Sequence, residues 1–122
     1  MPRLYQTKTW KLRIPDAWAF RDDPEQQLVT FFRPDGVGLL TVLTTDQSAQ
    51  GQNAKGEDFC GRLRGKMWTT KGSDRIFRGW SLSCCDRWLY VHYTCAAKNA
   101  GLEDAEVDEI LQSIEESGAQ AA

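Results

Sequence analysis

The chain has 122 residues and a net charge of −2 at pH 7, with 41% hydrophobic and 26% charged residues. These values are typical of a soluble globular domain and exclude a disordered chain, a collagen-like repeat and a coiled coil. No apolar run approaches the roughly 20 residues of a membrane-spanning helix, so we expect no insertion into a membrane. Since single domains most often have about 100–150 residues, we predict one domain over residues 1–122.

Charge is distributed unevenly along the chain. Residues 51–100 carry nine basic and four acidic groups, whereas residues 101–122 carry seven acidic groups and no basic one. The basic stretch could bind an anionic partner or nucleic acid, or it could be a solvated surface offset by the acidic C-terminal segment. We predict the second, with no nucleic-acid binding, because nucleic-acid-binding domains usually carry a net positive charge.

The N-terminal residues are polar and charged, and they lack the apolar stretch of roughly 7–15 residues that a secretory signal requires. The chain has four cysteines, which are Cys60, Cys84, Cys85 and Cys95. Two of them are adjacent and no Cys-x-x-Cys pair occurs, so neither a disulfide framework nor a structural zinc site is indicated. We expect four free, reduced thiols and a cytoplasmic protein.

Alternating apolar and polar residues predict strands in the first third of the chain. The segment Tyr5–Ile14 predicts one half-buried strand that a proline ends, and residues 22–24 predict a turn. Leu28–Arg33 and Gly38–Thr45 are expected to form a hairpin around Pro34-Asp35-Gly36, a sequence suited to a tight turn.

The middle of the chain predicts a loop and then a helix. Residues 46–56 are polar and contain glycine, which favours a loop. Phe59, Leu63 and Met67 follow at i, i+4 and i+8, the spacing of one helix face, so we predict a helix that ends near Trp68. A short strand is predicted directly after it.

Two long strands, Arg75–Cys85 and Trp88–Ala96, are predicted to pair around Asp86-Arg87. A two-residue loop there would place Cys84 opposite Leu89 and would give the hairpin one core face and one polar-aromatic face. The core face would hold Trp80, Leu82, Leu89, Val91 and Tyr93. The opposite face would hold Ser81, Ser83, Tyr90 and His92.

The C-terminal segment predicts a helix over Leu102–Ser117, followed by a frayed tail at residues 118–122. Acidic residues crowd the first turn of this helix, where the helix dipole favours them. An apolar stripe runs along one side of it and should pack on the sheet. The stripe consists of Val107, Ile110, Leu111 and Ile114.

The predicted order of elements is β-β-β-α-β-β-β-α, an α+β domain with a mostly antiparallel sheet of about six strands and helices packed on it. Five features together resemble the PsbP/Mog-like fold, including its DcrB-type bacterial relatives and small uncharacterised bacterial proteins. These are the Ile14-Pro15-Asp16-Ala17-Trp18 segment, the apolar strand with its Pro-Asp-Gly turn, the mid-chain helix, the Trp-containing hairpin and the helix with Ile110–Ile114. The resemblance implies an α-β-α sandwich and a binding or accessory role, and it brings no catalytic motif to this sequence.

His92 is the only histidine, so any Ser-His or Cys-His device must use it. The predicted register places Ser81 opposite His92, but a strand pair lacks the exposed nucleophile and the oxyanion donors that acyl transfer needs. His92 and Cys95 would lie on opposite faces of one strand and could not share a metal. We therefore predict no enzymatic activity, no catalytic residues, no metal and no cofactor.

Five tryptophans in 122 residues are a high proportion, and those at the ends of elements could be half exposed. We predict a partner-binding surface formed by Trp88, Tyr90 and His92, since exposed aromatic residues anchor interfaces. Packing under a loop is the alternative for these side chains.

The sequence therefore predicts a non-catalytic accessory module that binds a protein partner, with an immunity-like or chaperone-like role as an option. The alternative is a small-molecule or lipid binder with a pocket between sheet and helix. Two structural features distinguish these functions. A filled core with one exposed aromatic patch favours the first, and an apolar pocket of several hundred Å3 favours the second.

Overall fold

The computed structural model describes residues 3–7, 9–45, 57–84 and 87–116, and most of them lie in β-strands. In this part of the chain, ten strands form two antiparallel sheets, and one α-helix precedes the last strand. The helix is α1 (Asp104–Ser113), and 3₁₀ turns lie at Pro24–Gln26 and Ala97–Asn99. The strands are β1 (Arg3–Gln6), β2 (Trp10–Ile14), β3 (Ala19–Asp23), β4 (Leu28–Phe32), β5 (Gly38–Thr45), β6 (Glu57–Cys60), β7 (Arg64–Lys71), β8 (Arg75–Cys84), β9 (Arg87–Ala96) and β10 (Glu115–Glu116).

The larger sheet has seven strands in the order β3-β4-β5-β9-β8-β7-β6, and the smaller sheet has three in the order β1-β2-β10. Hairpin connections account for most neighbouring pairs, whereas β5 pairs with β9, which is far along the chain. The long strands β5, β8 and β9 therefore form the middle of the larger sheet. The shorter strands β3 and β6 form its edges, where short strands limit unwanted pairing.

One face of the larger sheet, here called the inner face, is apolar and packs against β2 and α1. Side chains alternate along a strand, so every second residue of the central strands points to this face. The buried cluster joins Leu40, Trp80 and Val91 of the sheet with Leu12 of β2 and Leu111 of α1. The opposite face, here called the outer face, carries the intervening residues.

The predicted α-β-α sandwich is wrong, because the structure is mostly β and α1 is the one α-helix among the described residues. The helix predicted to end near Trp68 consists instead of β6 and β7, which form a hairpin. Phe59 and Met67 both lie at inner-face positions of these strands. Their spacing of eight residues fits one face of a helix, but the two residues lie on different strands, and the register of the hairpin places them on the same face.

Gly65 shows why β7 lies so close to β8. It lies opposite Phe59 on one side and opposite Leu82 on the other. A Cβ atom at Gly65 would clash with the carbonyl oxygen of Ser81 and would lie 2.9 Å from the Leu82 Cα. This approach of two backbones requires a residue without a side chain.

Two predictions for the N-terminal part are also wrong. The segment Tyr5–Ile14 is two strands joined by a tight turn, in which the Trp10 N–H donates to the Thr7 hydroxyl at 3.0 Å. Asp22 and Asp23, predicted to lie in a turn, belong to the edge strand β3. An edge strand tolerates such charged residues because one of its sides faces no further strand.

Both predicted hairpins are present. In the first, β4 pairs with β5 and Val29 lies opposite Val42. In the second, β8 ends at Cys84 and β9 begins at Arg87, so Leu82 lies opposite Leu89. The predicted register of this second hairpin is wrong by two residues, but an even shift keeps every side chain on its predicted face.

The C-terminal helix is shorter than predicted and ends at Ser113. Its predicted apolar stripe is confirmed as part of the core, since all four side chains of the stripe, including Ile114 directly after the helix, are buried. The predicted loop at residues 46–56 and the predicted tail at residues 118–122 lie outside the described residues.

Candidate functional site

The predicted partner-binding residues Trp88, Tyr90 and His92 all lie on the outer face, because they alternate along β9. His92 is exposed and Trp88 is half-buried, but Tyr90 is only 8% exposed. The three residues therefore share a face of the sheet without forming one open aromatic surface.

The cross-strand pair of Ser81 and His92 considered from the sequence is not formed. Ser81 lies opposite Tyr90, and Gly79 lies opposite His92. A Cβ atom at Gly79 would clash with the indole of Trp68, so this ring covers the backbone beside His92. The neighbour of His92 on β8 is thus a glycine and supplies no nucleophile.

Although the His92 side chain is exposed, the groups around it on the outer face partly desolvate its ring, and this lowers its pKa below the ordinary value of 6.5 because desolvation disfavours the charged imidazolium. The unfolded chain therefore binds a proton at His92 more readily than the folded chain does. Both states are neutral at His92 above pH 6.5, so the full free energy of unfolding is present there. It falls as the pH is lowered below 6.5, because the unfolded chain is protonated first. We expect an NMR titration of the single histidine to give a pKa below 6.5. A pKa at or above 6.5 would contradict the partial desolvation of this ring.

Two large apolar side chains are exposed on the outer face, Leu39 at 48% and Phe77 at 43%. They lie on either side of Thr94 in one cross-strand row. The Arg75 side chain, on the same face, donates from Nε to the Thr94 hydroxyl at 3.2 Å. This row is an apolar strip with a cation beside it.

A cleft of about 650 Å3 opens between the two sheets at one end of the inner face, and we call it the inter-sheet cleft. The rings of Tyr5 and Trp10, with centroids 5.6 Å apart, and the side chain of Val29 form its apolar walls, and Leu28 also lines it at the start of β4. The remaining lining residues are polar or charged. They are Gln6, Thr7, Thr9, Asp22, Gln27, Thr44 and Arg87.

The cleft forms where the apolar alternation of three inner-face strands ends in polar residues. Asp22 on β3, Thr44 on β5 and Arg87 on β9 all occupy inner-face positions towards the same end of the sheet. Polar side chains resist burial without a partner, so the apolar core ends at Val42 on β5 and at Leu89 on β9, next to the cleft. The sequence pattern places Asp22 and Arg87 in turns and gives no sign that they line a cleft. The signal that could have identified both residues is an alternating series of apolar residues that ends in a charged residue at the next position of the series.

Some polar groups of the inter-sheet cleft have hydrogen-bond partners within the protein, whereas Arg87 has no carboxylate partner among the described residues. The Trp10 indole Nε1–H donates to the Thr44 hydroxyl at 3.0 Å. The Tyr5 hydroxyl is hydrogen-bonded to Asp22, and burial together with this carboxylate raises the pKa of Tyr5. Arg87 as a residue is half-buried, and no carboxylate among the described residues lies within 4.0 Å of its guanidinium.

A second cavity, of about 270 Å3, lies beside the N-terminus of α1 and contains Arg78. The Arg78 guanidinium pairs with Asp104 at 3.3 Å and with Asp108 at 2.8 Å. It also lies 4.8 Å from the ring centroid of Trp80. Because two carboxylates already match its charge, Arg78 serves to hold α1 against β8.

The buried carboxylate of Glu103 also fixes α1. The Tyr93 hydroxyl donates to it at 2.6 Å and the Val37 N–H donates to it at 3.2 Å. Burial, together with this carboxylate, holds the pKa of Tyr93 well above its ordinary value. In the sequence, Glu103 is only one of several acidic residues at the start of the helix, so nothing distinguished it.

Further chemistry is limited in the part of the chain that the structure describes. No group of three or more His, Cys, Asp or Glu side chains there could hold a metal ion. Cys95 is a buried free thiol, and the side chains of the other three cysteines lie outside the described part. Within the described ranges, no helix has the length and apolar composition needed to cross a membrane.

A comparison with protein-family models found no match for this chain, and neither did a comparison with curated proteins. The resemblance to the PsbP/Mog-like fold stays a prediction. The candidate site therefore depends on the geometry of the inter-sheet cleft.

Proposed function

We propose that this protein binds a small molecule in the inter-sheet cleft. The supporting observation is the cleft itself, since its volume of about 650 Å3 falls within the roughly 300–1,000 Å3 of ligand pockets. Its lining of apolar and aromatic walls with a few polar groups also suits a ligand. The sequence predicted a pocket between sheet and helix, whereas the cleft lies between two sheets. Its size nevertheless favours a ligand-binding protein over a protein-binding module with a filled core.

The proposed role is binding and not catalysis. Among the described residues, the ionisable side chains that line the inter-sheet cleft are those of Tyr5, Asp22 and Arg87. The raised pKa of Tyr5 keeps its hydroxyl protonated at neutral pH, so Tyr5 acts as a hydrogen-bond donor and not as a base. The one histidine of the chain lies on the opposite face of the sheet. This set of groups can orient a ligand.

Fluorescence of the uncharged apolar probe N-phenyl-1-naphthylamine tests the proposal. We expect saturable enhancement with one site per chain, because the probe moves from water to the apolar walls of the cleft. The variant Gln6→Trp, which places a large ring at the rim of the cleft on β1, should abolish most of this enhancement.

The matched control for this variant is Thr70→Trp, which adds the same ring at an exposed outer-face position of β7. It should bind the probe as the unmodified protein does, and both variants should keep their unfolding midpoints. Absence of saturable binding, or equal binding by both variants, would refute a ligand site in the cleft.

The predicted role as a protein-binding module is the second candidate, and the exposed strip of Leu39 and Phe77 favours it. Arg64 and Arg75 are exposed on the same face, so the fitting partner would present an apolar centre flanked by carboxylates. Under this candidate, the double variant Leu39→Ser and Phe77→Ser would lose the partner and keep full probe binding. If the double variant instead lost probe binding, the probe would bind to the outer face and not in the inter-sheet cleft.

A further inference from the structure

We infer that the ligand of the inter-sheet cleft is an amphipathic monocarboxylate, with its anionic group on Arg87 and its apolar body against Tyr5 and Trp10. This inference rests on the proposed function and adds the chemical class of the ligand. It follows from the charge of the cleft, from the arrangement of its apolar walls and from the distance between its two charged residues.

Arg87 favours a ligand with an anionic group, although the cleft also contains the carboxylate of Asp22. Arg87 is the one cationic side chain among the described lining residues, and no carboxylate in that part of the chain pairs with it. A guanidinium presents two parallel N–H donors that match the two oxygens of a carboxylate. Because Arg87 is half-buried, this attraction is screened less than at an open surface.

A single negative charge suits the cleft better than a double one. One arginine neutralises one carboxylate, whereas a phosphate monoester carries about −1.5 to −2 charges at pH 7. Asp22 also lines the cleft and would oppose the excess charge. Of these two anions, the monocarboxylate therefore leaves the smaller excess of negative charge in the occupied cleft.

Asp22 does not compete for the ligand carboxylate site. β3 and β9 are separated by β4 and β5, so these strands lie about 14 Å apart across the sheet. The Asp22 carboxylate is hydrogen-bonded to the Tyr5 hydroxyl. Asp22 and Arg87 thus belong to opposite walls, and the space between them is available to the ligand body.

The wall between these charged residues is apolar and rigid. Trp10 is 2% exposed, and its indole is held by the hydrogen bond to Thr44. Tyr5 packs against Trp10 at 5.6 Å and against Phe31 at 5.3 Å, which restricts both rings. Because Trp10 is almost fully buried behind this wall, an alkyl or aryl body of the ligand would replace water mainly on the half-buried ring of Tyr5.

Calorimetric titration with three probes of equal chain length tests the inference: octanoate, 1-octanol and octylamine. We expect octanoate to bind roughly tenfold to a hundredfold more tightly than 1-octanol, the range of a charge-assisted hydrogen bond. Octylamine should bind no more tightly than 1-octanol. Arg87→Gln should remove the advantage of octanoate and leave 1-octanol unchanged.

Arg75→Gln is the matched control, because Arg75 is an exposed strand arginine on the outer face, away from the cleft. It should keep the full preference for octanoate. Equal binding of octanoate and 1-octanol, or an undiminished preference in Arg87→Gln, would overturn the inference and leave the proposed function standing. Failure of all three probes to bind would overturn both.

Discussion

Gly65→Ala is expected to destabilise the protein by about 1–3 kcal/mol or more, the cost of forcing extra volume into a packed structure. The new Cβ atom would meet the carbonyl oxygen of Ser81, the Ser81 carbonyl carbon at 2.8 Å and the Leu82 Cα at 2.9 Å. All three are backbone atoms, so no side chain can rotate away to relieve the clash. Urea unfolding followed by circular dichroism measures the loss directly.

Gly72→Ala is the control for this substitution. The nearest atom to its new Cβ would be the Arg75 carbonyl oxygen at 3.4 Å, an ordinary van der Waals distance. Its free energy of unfolding should change by less than roughly 0.5 kcal/mol. If Gly65→Ala were as stable as Gly72→Ala, the close pairing of β7 with β8 would be wrong.

Leu111→Ala is the second substitution with a large expected effect, a loss of about 2–5 kcal/mol. Leu111 is 1% exposed, and it lies in the cluster that joins α1 to both sheets. Removal of its side chain would leave a cavity at the centre of that cluster. Because total stability is typically about 5–15 kcal/mol, the unfolding midpoint should fall clearly.

Gln112→Ala, one position further along α1, is the matched control, since Gln112 is exposed. It should change the free energy of unfolding by less than roughly 0.5 kcal/mol. The competing hypothesis is that the acidic helix is a detachable docking element. In that case Leu111→Ala would leave the stability intact and impair only the binding of a partner.

The sequence predicted local pairing well where turn residues and alternation agreed. The strand Gly38–Thr45 has its predicted bounds, and its hairpin with β4 follows from a proline and a glycine in the connecting turn. The division of β8 and β9 into a core face and an outer face also follows from alternation. A register error of two residues could not disturb this division.

The error at residues 57–71 has a physical cause. Apolar residues at intervals of four satisfy both a helix face and a strand face, so their spacing alone does not decide between them. Glycines at positions 61 and 65 disfavour a helix, and Gly65 is needed where β7 approaches β8. That need arises from pairing with Ser81 and Leu82, which a local pattern does not reveal.

The candidate site was harder to predict than the fold. The sequence predicts a partner-binding surface at Trp88, Tyr90 and His92 because they are aromatic residues at or near an element end, but their exposure depends on what surrounds the outer face. Arg87 was assigned to a turn, and only the observed register makes it the first inner-face residue of β9. The inter-sheet cleft further requires β1 and β2 to lie over that end of the larger sheet, a tertiary arrangement.

The most direct test of ligand binding in the inter-sheet cleft is a measurement of intermolecular nuclear Overhauser effects between 1-octanol and the protein. Because this probe is neutral, its binding tests whether the cleft is occupied and does not depend on an interaction between Arg87 and a carboxylate. We expect effects from its chain protons to the rings of Tyr5 and Trp10, with a shift of the Trp10 indole N–H resonance. Effects confined to Leu39 and Phe77 on the outer face, or none at all, would contradict the account.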